Sequence, residues 1–302
     1  MTAPMTDPLS ELVLQQADVR MALLPALGGT IRSLRWGNEP LLRLPDDQPL
    51  QHGREAGSYP LVPFSNRIGY AQAQWDGQPL DIEINFPGDK HMAHGIGWQR
   101  PWQVHSSSAS EALLQLHHDP SQPSPSPIPG KWPFAFTAMQ YFKLHAHALD
   151  MEMTITNDHS GPAPVGLGWH PFFEKRHGMR VQFACEGRWE MNEDKLPTHF
   201  SPVAGMVADL ATLDVDHCYD GWHGDVLLED ERIRLRMHSN LRRLVVFTNP
   251  QRNNIAIEPV SHVNNAINLA EEQGVSIESL GLVVLQPGER YSAHMRLEWT
   301  LK

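Results

Sequence analysis

Cysteine is scarce in this chain of 302 residues: only Cys185 and Cys218 occur. Two thiols that far apart make neither a disulfide framework nor a zinc site, and they read as reduced thiols of a cytoplasmic protein. No Lys/Arg-rich block is present and the formal net charge is −11, which argues against nucleic acid or an anionic membrane surface as partner. Runs of 18 consecutive apolar residues are missing too, so no membrane-spanning helix is expected. The opening stretch MTAPMTDPLSELVLQQ has no basic segment followed by an apolar one, which fits a soluble, cytoplasmic chain. Helical periodicity is thin, limited to turns near Asn265 to Glu272 and Ile277 to Leu280, and no internal repeat is visible.

What the chain does have is short strands in number, punctuated by 25 prolines and 22 glycines. Leu12–Leu14, Val19–Leu23 and Ile31–Trp36 open as a meander, and residues 45–58 make a polar, turn-rich loop. Asp76-Gly77 between 71–74 and 80–84 signals a hairpin, because both turn residues tolerate positive φ. Strands are expected over 98–105, 113–116, 134–144, 149–155, 226–228, 233–237, 243–248 and 255–257. From Tyr291 to Leu301, apolar and polar residues alternate without a break, the period of a strand with one wet face. Ser121 to Gly130 carries four prolines in ten residues; strands of the same style follow it, so it reads as a surface loop within one domain spanning 1–302. The fold class that results is all-β, a large antiparallel β-sandwich.

Several patches place a polar side chain beside glycine, proline or asparagine at a strand end. In Gly166-Leu167-Gly168-Trp169-His170-Pro171-Phe172-Phe173 the glycines suit a close approach by a ligand or another backbone, and Pro171 should end or bulge the strand at His170. An imidazole at such a rim is suited to proton transfer; by itself it is more often a satisfied, partly buried histidine. Arg67, after Asn66, offers a planar fork for paired hydroxyls or a carboxylate, although a lone arginine is usually a surface cation. His91 and His94 stand three apart near Trp98, but no cysteine or carboxylate completes a metal set, so no metal is expected. Asp214, Asp216 and Asp220 ordinarily form a solvated loop. Glu258 ends an apolar strand before Pro259, shielded enough to raise its pKa toward the range of a base.

Taken in order, Asn66-Arg67-Ile68, His94-Gly95, Trp169-His170-Pro171-Phe172-Phe173, Asp216-His217, Glu258-Pro259 with Asn265 and Asn268, and Leu285-Gln286-Pro287-Gly288-Glu289 resemble the aldose 1-epimerase, or galactose mutarotase-like, family. The resemblance spans roughly residues 10 to 300. It implies a β-sandwich with a sugar cleft on one sheet and no metal or organic cofactor. It also implies His170 as general acid, Glu258 as general base, and Arg67, His94 and Asp216 as sugar-binding positions. Asn66 is taken together with Arg67, and Trp98 or Trp222 would stack on the sugar's apolar face. Galactose mutarotases typically have Thr-Gln after the glutamate and Ser-Tyr after the histidine; here Pro259-Val260 and Pro171-Phe172 stand instead. Those departures point to a bacterial side branch and weaken galactose preference more than the acid and base roles.

The activity so implied is interconversion of the α and β anomers of an aldose, with positions 170 and 258 expected to face each other over a pyranose-sized hollow. A mutarotase for a phosphorylated or sulfonated hexose would need a cationic pocket; Arg32, Arg35, Arg54 and Arg67 are available, but no cluster is visible. A glycoside hydrolase would need a second acid. A non-catalytic carbohydrate-binding protein would have no need of both proton-transfer residues.

Overall fold

A computed structural model describes residues 10–45 and 49–302. The opening stretch 1–9 and residues 46–48 of the expected loop 45–58 lie outside the described residues. The chain forms a large antiparallel β-sandwich. Among the described residues one sheet has nine strands, built outward from Ala148–Asn157, which pairs with Phe136–Leu144 on one side and the C-terminal Arg290–Leu301 on the other. The second sheet has eight, and its centre is the run Val215–Asp220, Arg243–Thr248, Asn254–Val260. Leu12–Gln16, Val19–Leu24 and Thr30–Trp36 form the expected meander at the start.

Alternation explains the pairing. In Arg290–Leu301, Ala293, Met295, Leu297 and Trp299 are all buried, while the residues between them face outward. The polar residues of the neighbouring strand Ala148–Asn157 likewise alternate with buried Met151, Met153 and Ile155. Apolar faces of the sheets meet in a large core, beside which Leu24, Leu50 and Ala56 form a small separate cluster.

Several local expectations are corrected. Asp76 and Gly77 do make a tight turn with φ of 51° and 70°, but the flanking strands are only Gln74–Trp75 and Gln78–Pro79. Residues 98–105 are not one strand: Gly97–Gln99 is a 3-10 turn and the strand is Gln103–Ser107. Near the C-terminus Ala266–Gln273 is an α-helix, whereas 277–280 forms turns. The strand holding Glu258 does not stop at Pro259; it runs on to Val260, with Pro259 opposite Leu244.

The proline-rich segment 121–130 joins two strands that pair directly, His118 opposite Phe136, and so connects neighbours within one sheet. Its prolines remove backbone donors, and the segment is instead pinned by side chains. Arg100 donates to Ser124 Oγ and to Gly130 O, and Gln99 donates to Pro129 O at 2.9 Å.

Beneath the second sheet, His262 ties two remote segments together. Ser65 N–H donates to its Nε2 at 2.9 Å, so the proton sits on Nδ1, which donates to Val263 O at 2.7 Å. Burial pushes its pKa down from 6.5 to about 4. A depressed histidine contributes its stability in full above the unfolded value and loses it as pH falls toward the folded one. The fall from 6.5 to about 4, at roughly 1.4 kcal/mol per pH unit, is worth about 3 kcal/mol. Urea unfolding from pH 7 to 4 is therefore expected to show His262→Gln losing less stability than wild type by about that amount; parallel losses would contradict it.

Candidate active site

The strand that contains His170 breaks where its proline demands. Gly168–Trp169 pairs with Val260 and with Pro60–Leu61; Phe172–Glu174 pairs separately with Asn254–Ala256. His170 and Pro171 lie in the gap. The backbone N–H of His170 donates to Tyr59 O at 3.0 Å, which fixes the residue without a ladder of its own. The small residues before it serve protein packing: a Cβ on Gly168 would stand 2.7 Å from Pro259 O, and one on Gly166 would strike the His262 ring.

The imidazole is held by aromatic rings. Tyr59 stacks on it with centroids 4.5 Å apart and planes 21° from parallel, Phe172 lies at 4.5 Å, and His94 meets it edge-on at 5.2 Å. Only 6% of His170 is exposed. Its Nε2 is 3.1 Å from Glu258 Oε1, and Glu258 is 2% exposed. The two side chains are thus in contact, which corrects the expectation that they face each other over a hollow.

Burial dominates the electrostatics of this pair. It pushes Glu258 well above the usual carboxylate range, helped by the charge of Asp216 and opposed by Arg67 and Arg54. It pushes His170 well below the usual histidine value, helped by Arg54 and Arg43. Both shifts favour a neutral pair that shares one proton, with the carboxyl holding it. Glu258 Oε2, His170 Nδ1 and His94 Nδ1 are buried and have no hydrogen-bond partner among the described residues. Polar atoms left so are costly to the fold and suited to a ligand rich in hydroxyls.

The other predicted residues are brought to the same place by two strained turns and a strand. Asn66 and His94 both have positive φ, 53° and 64°, and the Asn66 carbonyl accepts the His94 N–H at 2.7 Å. Asn66 Oδ1 accepts from Arg67 Nη1 at 3.1 Å, so the asparagine, itself 3% exposed, orients both neighbours. Asn265 and Asn268 brace that turn from the helix: Asn265 Oδ1 accepts from Gly69 N–H and Asn268 Nδ2, each at 2.9 Å. Asp216 lies in the strand Val215–Asp220 and not in a solvated loop; it sits opposite Phe247, which is opposite Ala256, two residues before Glu258. Alternation therefore puts Asp216 on the Glu258 face of the sheet.

Trp98 and Trp222 are corrections. They are 1% and 0% exposed, with their indole N–H groups donating to Ala93 O and Asp225 O, so neither presents a face to a sugar. His91 is structural: Tyr70 N–H donates to its Nδ1, and its Nε2 lies 2.9 Å from Asp194 O. Among the described residues no group of three or more His, Cys, Asp or Glu is arranged to hold a metal ion. Both cysteines are free and buried, and among the described residues no helix is long and apolar enough to cross a membrane.

Sequence reading missed Tyr59, Arg43 and Arg252 at the site. Tyr59 follows a polar loop and is flanked by nothing unusual, and Arg252 sits in a turn between strands; only pairing brings them in. Arg32, in contrast, pairs with Glu11. Beside Asn254, on Glu258's strand, a cavity of about 740 Å³ opens, lined in part by Arg43, Lys175 and Asn254.

Comparison with known proteins extends these observations. Residues 10–298 match the family described as aldose 1-epimerase. The uncharacterised protein YphB of Escherichia coli (strain K12) is 26% identical over 291 residues, covering 90% of this chain and 93% of its own. A crystal structure from the same organism, provisionally named an aldose 1-epimerase, superposes with a TM-score of 0.84 at 24% identity, over 97% of this chain and 99% of that one. A galactose mutarotase-like protein from Clostridium acetobutylicum gives a TM-score of 0.82 at 18% identity, over 96% and 95%. At those identities the two structures establish the fold alone.

Raised as it is by burial, Glu258 keeps its proton above the ordinary carboxylate range. Isotope-edited infrared spectra of the protein are expected to show a carboxylic-acid band there that Glu258→Gln removes. A spectrum with only carboxylate bands in that window would refute the neutral pair.

Proposed function

Because the chain belongs to the aldose 1-epimerase family, we propose that it interconverts the α and β anomers of a hexose by acid/base-catalysed ring opening. The observation that carries this reading is the buried contact of His170 with Glu258 at 3.1 Å.

Opening the ring removes a proton from the C1 hydroxyl and delivers one to the ring oxygen, while the bond from C1 to that oxygen breaks. Both oxygens are attached to C1. The acid and base therefore act on two oxygens of one carbon, which neighbouring side chains in contact can serve together. Protonated His170 gives its proton to the ring oxygen and ionised Glu258 takes the one from the C1 hydroxyl. Rotation about the C1–C2 bond turns the aldehyde over, and the reverse transfers close the ring as the other anomer.

The pair goes from charged to neutral as the ring opens, and neutral is the state that burial favours. Arg67 and Arg54 oppose that preference at Glu258, so the ionised form needed to begin remains within reach. Arg67, His94 and Asp216 orient the ring, with Asn66 holding the first two in place.

Anomer exchange of α-glucose and α-galactose, followed by polarimetry or NMR, tests the roles. Glu258→Gln and His170→Asn are each expected to slow it by about 10² to 10⁴. Retention of the wild-type rate by either variant would remove that residue from the mechanism. The rate should fall on both sides of a plateau, as the pair gains a second proton or loses its only one. Depressed His170 places the acid limb below the usual histidine value, and raised Glu258 places the alkaline limb above the usual carboxylate value. A single limb would mean that only one of the two groups titrates in the reaction.

A further inference from the structure

Cations gather around the His170–Glu258 pair although the chain has 35 acidic against 24 basic residues. Arg54, in the 3-10 turn Gly53–Glu55, lies with its Cζ 4.1 Å over the Phe86 ring and 5.7 Å from that of Trp98. It acts electrostatically on His170, His94 and Glu258 alike, so its guanidinium is central to the site. Arg252 lies 4.7 Å over Phe247, the residue between Asp216 and Ala256 on the same sheet face. Arg43 packs 3.7 Å over Phe172 and donates to the carbonyls of Arg54 and Ala56, which fixes the turn that presents Arg54.

Several arginines elsewhere in the molecule find acids. Arg176 pairs with Glu39 and Asp230, Arg243 with Asp220, Arg236 with Asp225. Around the site they do not: among the described residues no carboxylate stands within 4.0 Å of Arg54, Arg67 or Arg252. Arg54 Nη1 and Arg252 Nε are buried with no hydrogen-bond partner among those residues. The nearby acids are turned to other groups, Glu55 to Gln51 N–H and His52, Asp216 to Lys195. Arg54 and Arg252 are half-buried, each with one guanidinium nitrogen sealed off and unpaired, and a neutral hexose brings them no counter-charge. A tetrahedral oxyanion does, since the guanidinium fork matches it with paired, charge-assisted hydrogen bonds.

We propose that the substrate is a hexose bearing a phosphate or sulfonate, and that Arg54, with Arg252, receives that group. The inference rests on the mutarotase reading for its chemistry. That chemistry also limits where the oxyanion is attached: the C1 hydroxyl must be free for the ring to open, so the group sits on another carbon.

Two measurements separate this inference from the reading beneath it. Exchange NMR on the wild-type protein compares glucose, glucose 6-phosphate and 6-deoxy-6-sulfoglucose. One anionic sugar is expected to show a kcat/KM about tenfold to a hundredfold above glucose, and which one it is distinguishes phosphate from sulfonate. Calorimetry with 1,5-anhydroglucitol and its 6-phosphate and 6-sulfonate, which cannot open, reads binding without turnover. An anionic analogue should bind about tenfold or more tightly than the neutral one, and Arg54→Gln or Arg252→Gln should abolish the difference while Arg54→Lys keeps part of it. Equal exchange and equal binding of neutral and anionic compounds by the wild type would overturn the proposal and leave the mutarotase reading intact. Arginine-dependent binding with no accelerated exchange of any sugar would sustain the anion site and refute the mutarotase reading.

Discussion

A carboxyl and an imidazole held 3.1 Å apart inside a protein share a constraint: both are buried, so each resists its own charge. Glu258 comes from a fully buried strand at the middle of one sheet. His170 comes from a strand that proline has interrupted, and it is kept in place by rings on two sides and one backbone hydrogen bond. Together they are most comfortable holding one proton between them. Much of the surrounding architecture supplies what that proton requires: rigid aromatic walls, a carboxylate at Asp216 that raises Glu258 further, and arginines that pull the other way.

Rigidity is obtained partly through backbone conformations that ordinary residues avoid. Asn66, His94 and Asn265 all have positive φ without being glycine. Each is held by more than one hydrogen bond or close neighbour, so the strain is carried by the surrounding turns. The outcome is that three loops remote in sequence present Arg67, His94 and the helix start to one spot. The arginines add a local field opposite in sign to the whole molecule's charge, which is possible because buried and half-buried charges are screened far less than surface ones.

How much of this was legible depended on the reach of each signal. Alternation from Tyr291 to Leu301 announced a strand because its two faces meet different media, and the structure has Arg290–Leu301 there. Asp76-Gly77 announced a turn because φ is a local property, yet how far its strands extend is settled by what lies beside them, and they are short. Pro171 announced the break at His170 for the same local reason. Trp98 misled, since a tryptophan beside glycines reads equally as a stacking platform or as core, and here it is core. Tyr59, Arg43 and Arg252 gave no signal at all.

The all-β class, the strand punctuation and the identities of a histidine, a glutamate and an arginine worth attention were determined by the sequence itself, because periodicity, turn chemistry and side-chain type are short-range properties. Contact between His170 and Glu258, the inward turn of Trp98 and Trp222, and the gathering of Arg54, Arg67 and Arg252 without carboxylate partners among the described residues were decided only in three dimensions. They depend on strand order and register, which join residues distant along the chain, and on burial, which sets the charge each group carries once it arrives.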